Sequence, residues 1–137
     1  MFEKILLAID GSEPTTRAVH AAGELARASR GEVHVLHVNE YGLQVGGPYD
    51  FETIEEASHI VEDAVIALKD AGVSALGETR RASVGRVPRV IVDVGKEVDA
   101  GTIVLGSRGL SDWGGVFLGS VTHRVLHIAE VPVLVVR

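Results

Sequence analysis

The sequence predicts a doubly wound α/β fold, a parallel β-sheet with helices on both faces. Three observations predict it. Short, continuous β-branched apolar runs alternate with stretches of helical period along the whole chain. Glycines stand where the helices should end. The 137 residues are 46% hydrophobic, enough material for one compact core and too short a chain for two.

The first run, Ile5 to Ile9, ends at Asp10. It is too short for a secretory signal core, and no stretch approaches the roughly 20 apolar residues that span a bilayer. The expected address is therefore the cytoplasm. Ala18, Ala22, Leu25 and Ala26 then share one helical face, and Val33 to Val38 form the second strand. Glu40 to Asp50, with Gly42, Gly46, Gly47 and Pro48, reads as an irregular insert, either a lid over a ligand or a long loop.

Ile54, Ala57, Val61, Ala64, Val65 and Leu68 make a longer helical face, followed by a weaker strand near Leu76 to Val84. Val87, Val90, Ile91, Val94 and Val98 form the third helix, with Pro88 in its first turn, where a missing N–H costs little. Thr102 to Leu105 is the fourth strand, Val121, Val125, Ile128 and Ala129 the fourth helix, and Val131 to Val136 the last strand. Gly31, Gly72 and Gly101 mark expected helix C-caps.

Five strands alternating with four helices require right-handed crossovers and suit a flavodoxin-like sheet of order 3-2-1-4-5. In such sheets ligands bind beyond the C-terminal ends of the strands where the order reverses, here between strands 1 and 4. Residues just after Ile9 and Leu105 are the place to look for function.

Both positions carry a signal. After strand 4 the chain reads Gly106-Ser107-Arg108-Gly109, then nine residues, then Gly119-Ser120 at the start of the fourth helix. Glycines allow close backbone approach to a ligand, and a helix N-terminus offers free N–H groups to a phosphate. Ser120 either caps the helix or reaches a phosphate oxygen. After strand 1, Asp10-Gly11-Ser12 offers a carboxylate that could bond a ribose or base edge, hold a metal through water, or cap the first helix; Ser12 and Thr15 are also competent caps.

The formal charge of −6 argues against a nucleic-acid surface. With no cysteine, disulfides and thiolate chemistry are excluded. No Gly-Lys-Ser/Thr occurs, and Arg108 is the one cation between Gly106 and Ser120, so fast phosphoryl transfer lacks its usual parts. His123 and His127 are spaced i, i+4, but Arg124 stands where a zincin has glutamate, so a metal site is disfavoured. His34 and His37 flank strand 2 and face opposite ways. Arg80, Arg81, Arg86 and Arg89 gather around Gly85 and read as a solvated basic cluster. Phe117 is expected to pack, and Trp113 either packs or covers the glycine loop. The apolar last strand should lie at a sheet edge and invite a second copy.

The segments Ala8-Ile9-Asp10-Gly11-Ser12, Ile103-Val104-Leu105-Gly106-Ser107-Arg108-Gly109 and Leu118-Gly119-Ser120-Val121-Thr122-His123-Arg124-Val125-Leu126, before Pro132-Val133-Leu134-Val135-Val136, together resemble the universal stress protein family over residues 1–137. The glycine spacing is that of its ATP-binding branch. The resemblance implies an adenine-nucleotide α-hydrolase-like fold and a cytoplasmic homodimer joined through Val131 to Val136, without nucleic-acid or membrane partners. It further implies that Asp10 and the backbone of Val38 meet adenine and ribose, and that Gly106, Ser107, Arg108, Gly109, Gly119, Ser120 and Val121 surround the phosphates, with Mg²⁺ or Mn²⁺. Asp112 occupies a segment where relatives often carry a basic residue. The expected role is a nucleotide-responsive stress or signalling module with slow or no hydrolysis. A nucleotide-free interaction module and a weak metal-dependent ATPase are the alternatives.

Overall fold

A computed structural model describes residues 1–107 and 118–137. The elements are β1 (Lys4–Ile9), α1 (Glu13–Ser29), β2 (Glu32–Gln44), β3 (Gly47–Asp50), α2 (Ile54–Asp70), β4 (Ser74–Ser83), α3 (Val87–Glu97), β5 (Thr102–Gly106), α4 (Ser120–Ile128) and β6 (Val133–Val136). The five parallel strands follow the order β4-β2-β1-β5-β6, which is 3-2-1-4-5 when they alone are counted. The fold is flavodoxin-like.

The sheet has a sixth strand that the sequence did not announce. Glu40 to Asp50 is not irregular: β2 runs on to Gln44, and β3 returns antiparallel to it, with Tyr41 opposite Asp50 and Gln44 opposite Gly47. Gly46 and Gly47, at φ 111° and 120°, supply the left-handed backbone of the turn. The missing side chain of Gly42 leaves room for the ring of Tyr49 across the strand pair. Turn glycines hid a hairpin because so short a strand carries little apolar signal.

Alternation along the central strands divides the core in two. Ile5, Leu7, Ile9, Val33, Val35 and Val104 face α1 and α2. Leu6, Ala8, Leu36, Val38, Ile103 and Leu105 face α3 and α4. Both faces of β1 and β5 are buried, which is why those strands read as unbroken apolar runs. β4 is an edge strand covered mainly on its α2 side, so Leu76 is exposed while Ala75 is buried, and Gly77 turns its missing Cβ toward Val61 and Val65 of α2. Val131 lies outside the last strand, which begins at Val133.

The helix ends follow the expected positions, not always the expected chemistry. Thr53 caps α2 in a reciprocal box with Glu56. Gly72 is left-handed, φ 79°, as a C-terminal glycine should be. At the other two ends the left-handed residues are Arg30 and Asp99. Gly31 and Gly101 serve a different need: a methyl group there would run into the backbone carbonyls of Phe2 and Glu3, and of Met1, respectively. Ser12 is the N-cap residue of α1 without a side-chain cap hydrogen bond.

Candidate functional site

The order reversal lies between β1 and β5, and a cavity of about 480 Å³ opens there at the C-terminal ends of the strands. Its volume suits a drug-sized ligand. Its floor is built by Ala8, Ile9, Leu36, Val38 and Leu105, and one side by Val84, Val87 and Ile91. The lining further includes His37 and Glu40 from β2, Glu52 after β3, Asp10 after β1, and the first turn of α4, Gly119 to Thr122, after β5.

Six of the residues expected to bind nucleotide line this cavity together: Asp10, Val38, Gly106, Gly119, Ser120 and Val121. Ser107 does not line it. It is buried, with its N–H on the carbonyl of Val136 at 2.7 Å and its own carbonyl accepting from the Gly119 N–H at 2.6 Å. It therefore ties β5 to β6 and to the start of α4. Arg108 and Gly109 lie outside the described residues, as do Asp112, Trp113 and Phe117.

Asp10 is half-buried, and its Oδ1 accepts the N–H of Ser12 at 2.9 Å, an Asx-type turn that stations the carboxylate at the end of β1. At α4 the N-cap is Gly119, and Ser120 is the first helical residue, so Ser120 does not cap. Among the described residues no side chain caps this helix. Its first N–H groups have no carbonyl of their own turn to pair with, and they open onto the cavity. Thr122 fixes the turn by donating its hydroxyl to the Gly106 carbonyl at 2.6 Å, so the end of β5 and the start of α4 are held as one unit.

The acidic side depends on residues to which the sequence reading gave no role in the site. Both His34 and His37 sit within β2. His37 is 4% exposed and lines the cavity. Its Nδ1 lies 2.9 Å from the carbonyl oxygen of Ile9, and its Nε2 is hydrogen-bonded to Glu52. Glu40 also faces the cavity, and burial holds its carboxyl above the usual carboxylate range. The signal for this group was the polar residues of β2 on both sides of Val38, legible only once the strand was known to continue past it.

The other expectations resolve into paired surface groups. Burial opposes ionisation of Glu78, but hydrogen bonds from Arg80 and His34 outweigh it and hold its carboxyl below the usual range. Arg80 also reaches Glu97 at 2.6 Å, Arg81 reaches Asp50 at 2.8 Å, and Arg89 stands 3.4 Å from Asp93. His123 and His127 are exposed and stack with centroids 5.7 Å apart. Among the described residues no group of three or more His, Cys, Asp or Glu is arranged to hold a metal ion. Among them, too, no helix is long and apolar enough to cross a membrane.

Known proteins share this architecture over its whole length. The family model described as the universal stress protein family matches residues 1–137. The universal stress protein YxiE of Bacillus subtilis is 35% identical, with all of both chains covered. A universal stress protein from Archaeoglobus fulgidus, solved in complex with dAMP, superposes with a TM-score of 0.76 at 28% identity, covering 98% of this chain and 97% of that one. A universal stress protein solved in complex with cAMP gives a TM-score of 0.71 at 27% identity, covering 98% and 96%. With similarity from end to end, the chain belongs to the universal stress protein family.

Proposed function

We propose that the chain binds an adenine nucleotide, ATP in preference, in the cavity between β1 and β5, and acts as a nucleotide-responsive stress or signalling module with slow or no hydrolysis. The observation that carries this reading is the polarity of the cavity. The β5 side presents the N-terminus of α4, which favours a phosphate. The β2–β3 side presents Glu40 and Glu52, and Asp10 follows β1, acceptors for ribose hydroxyls and an amino-bearing base. Between them the floor is apolar, as a base plane requires. Relatives solved with dAMP and cAMP support the adenine ring. In this reading Val38 offers its backbone to the base, and Gly106, Arg108, Gly109, Gly119, Ser120 and Val121 surround the phosphates, with Ser107 holding the start of α4 from behind.

Slow turnover is supported by the sequence: no Gly-Lys-Ser/Thr occurs, and Arg108 is the one cation between Gly106 and Ser120 to neutralise a transferring phosphoryl group. Mg²⁺ or Mn²⁺ would be held chiefly by the phosphate oxygens, with Asp10 the carboxylate able to meet it through water. Isothermal titration of ATP with Mg²⁺ into the full chain is expected to give saturable binding at one site. No heat, together with no nucleotide retained on the purified protein, would sink this reading in favour of a nucleotide-free interaction module.

The reading includes a cytoplasmic homodimer joined through the last strand. β6 pairs with β5 on one side and ends the sheet, with Leu134 41% exposed. An open apolar edge is suited to self-pairing. Sedimentation equilibrium should give twice the chain mass, and Leu134→Lys should give the monomer; a monomeric wild type would refute the dimer.

A further inference from the structure

β2 outruns β1. Their pairing stops at Ile9 and His37, while β2 continues to Gln44. Tyr41 pairs with Ser83 of β4 and with Asp50 of β3, so β3 lies on the β1 side of β2. The returning chain therefore passes over the end of β1 and delivers Phe51 and Glu52 to the cavity wall.

The fastening of this return is buried. His37 bridges the carbonyl of Ile9 and Oε1 of Glu52. From the same face of β2, Asn39 gives its Nδ2 to the Glu52 carbonyl at 3.5 Å, a weak contact, and its Oδ1 is buried with no partner among the described residues. The histidine bridge is thus the main polar tie between Glu52 and the sheet.

Donor and acceptor accounting fixes what that bridge must carry. A carbonyl oxygen only accepts, so Nδ1 of His37 bears a hydrogen. In a neutral imidazole Nε2 is then a bare lone pair, and an ionised Glu52 would meet it acceptor to acceptor. The bond requires one proton between them, as imidazolium with carboxylate or imidazole with carboxylic acid. We infer that His37 and Glu52 are positioning residues that close the hairpin wall of the cavity by holding one proton, so that closure weakens as the pH rises and that proton is lost.

Among the described residues that line the cavity beside the pair there is no lysine or arginine to take the proton's place. The titratable groups there are Asp10 after β1 and Glu40 on β2, and the first turn of α2 adds Glu55 and Glu56; the Glu56 carboxylate already accepts the Thr53 N–H at 2.8 Å. The second polar fastening of the hairpin is Arg81 on Asp50, with the guanidinium 4.2 Å above the Tyr41 ring. It is about half exposed, and arginine keeps its proton throughout the relevant range. The sign follows from proton counting. The closed pair needs the shared proton and an opened pair does not, so wherever the opened pair has released it each further pH unit disfavours closure by at most about tenfold.

The test is native-state hydrogen exchange of the backbone amides from Tyr41 to Glu52 in the full chain, corrected for intrinsic rates, from about pH 6 to about pH 9. Protection in wild type should fall across this range by up to about tenfold per pH unit, while amides of Ile5 to Ile9 hold theirs. In Glu52→Gln the side-chain amide can donate to the bare Nε2, so protection should persist and stay flat. A flat wild type, or the same fall in Glu52→Gln, would overturn the inference. Imidazole nitrogen shifts in wild type give a check that needs no variant: Nδ1 stays protonated at both ends of the range, and a bare Nδ1 would overturn it.

The consequence for ligand affinity, tighter below pH 7 than above, rests on the nucleotide reading, and the exchange experiment does not. No ATP binding at any pH with the exchange result intact would refute the nucleotide reading alone. ATP binding with pH-independent exchange would refute the proton-held closure alone.

Discussion

Ser120→Asp is expected to abolish most nucleotide binding while leaving the fold intact. Ser120 is exposed, is the first residue of α4 and lines the cavity. An aspartate in a first helical turn is favourable for the helix, by a few tenths of a kcal/mol, so the melting temperature should hold or rise slightly. The same carboxylate would stand about 5 Å from a bound phosphate. At an effective dielectric near 20, two like charges at that separation repel by about 3 kcal/mol, roughly a 100-fold loss of affinity. Titration of ATP with Mg²⁺ into the variant, beside a thermal melt, reads both quantities. Undiminished affinity would remove the phosphates from α4; lost affinity with a much lower melting temperature would mean that α4 itself had been disturbed.

Gly77→Val should be the costlier change for stability. Gly77 lies on the α2 side of β4, where even a methyl group would run into Cγ1 of Val61 and come within 2.9 Å of Cγ2 of Val65. Both neighbours are β-branched and held in single rotamers on a helix, so they cannot swing aside. Overpacking of this kind costs about 3 kcal/mol at its upper end. For a chain of this size that lowers the melting temperature by roughly 10 °C. Val61→Ala in the same chain should recover part of the loss, so the double variant is less destabilised than the sum of the singles. Strict additivity would show that the contact with Val61 is not the cause.

These two sites differ in how far they could be read in advance. Ser120 belonged to a pattern of glycine and hydroxyl residues between a strand and a helix, and its position follows from the chain order alone. Gly77 had no such signature. Its importance comes from the distance between α2 and β4, which depends on how deeply a helix settles against an edge strand. The same division separates Gly72, whose left-handed backbone ends a helix as local chemistry predicts, from Gly31 and Gly101, which are glycine because the N-terminal segment crosses over them. All three stand at helix ends, and two of them answer to residues remote in sequence.

His37 shows the same limit inside the candidate site. A histidine in an apolar strand tells nothing by itself. Its role is set by a glutamate 15 residues later that the hairpin carries back over β1. The hairpin itself was legible only as turn residues, since a four-residue strand has too few positions to display a period.

The sequence by itself determined the alternation of strands and helices, the parallel order of five strands, the end of the sheet where a ligand would sit and the glycine and serine residues at the start of α4. Each is a local property: side-chain period fixes the element, crossover handedness prunes the order, and the order fixes the crevice. Tertiary structure alone decided the direction in which the β2–β3 hairpin folds, the bridging of Ile9 and Glu52 by His37, the burial of Ser107 away from the cavity and the demand for glycine at 31, 77 and 101. Those features arise where segments far apart in the chain come within a few ångströms, and the packing that sets such distances is a property of the whole core.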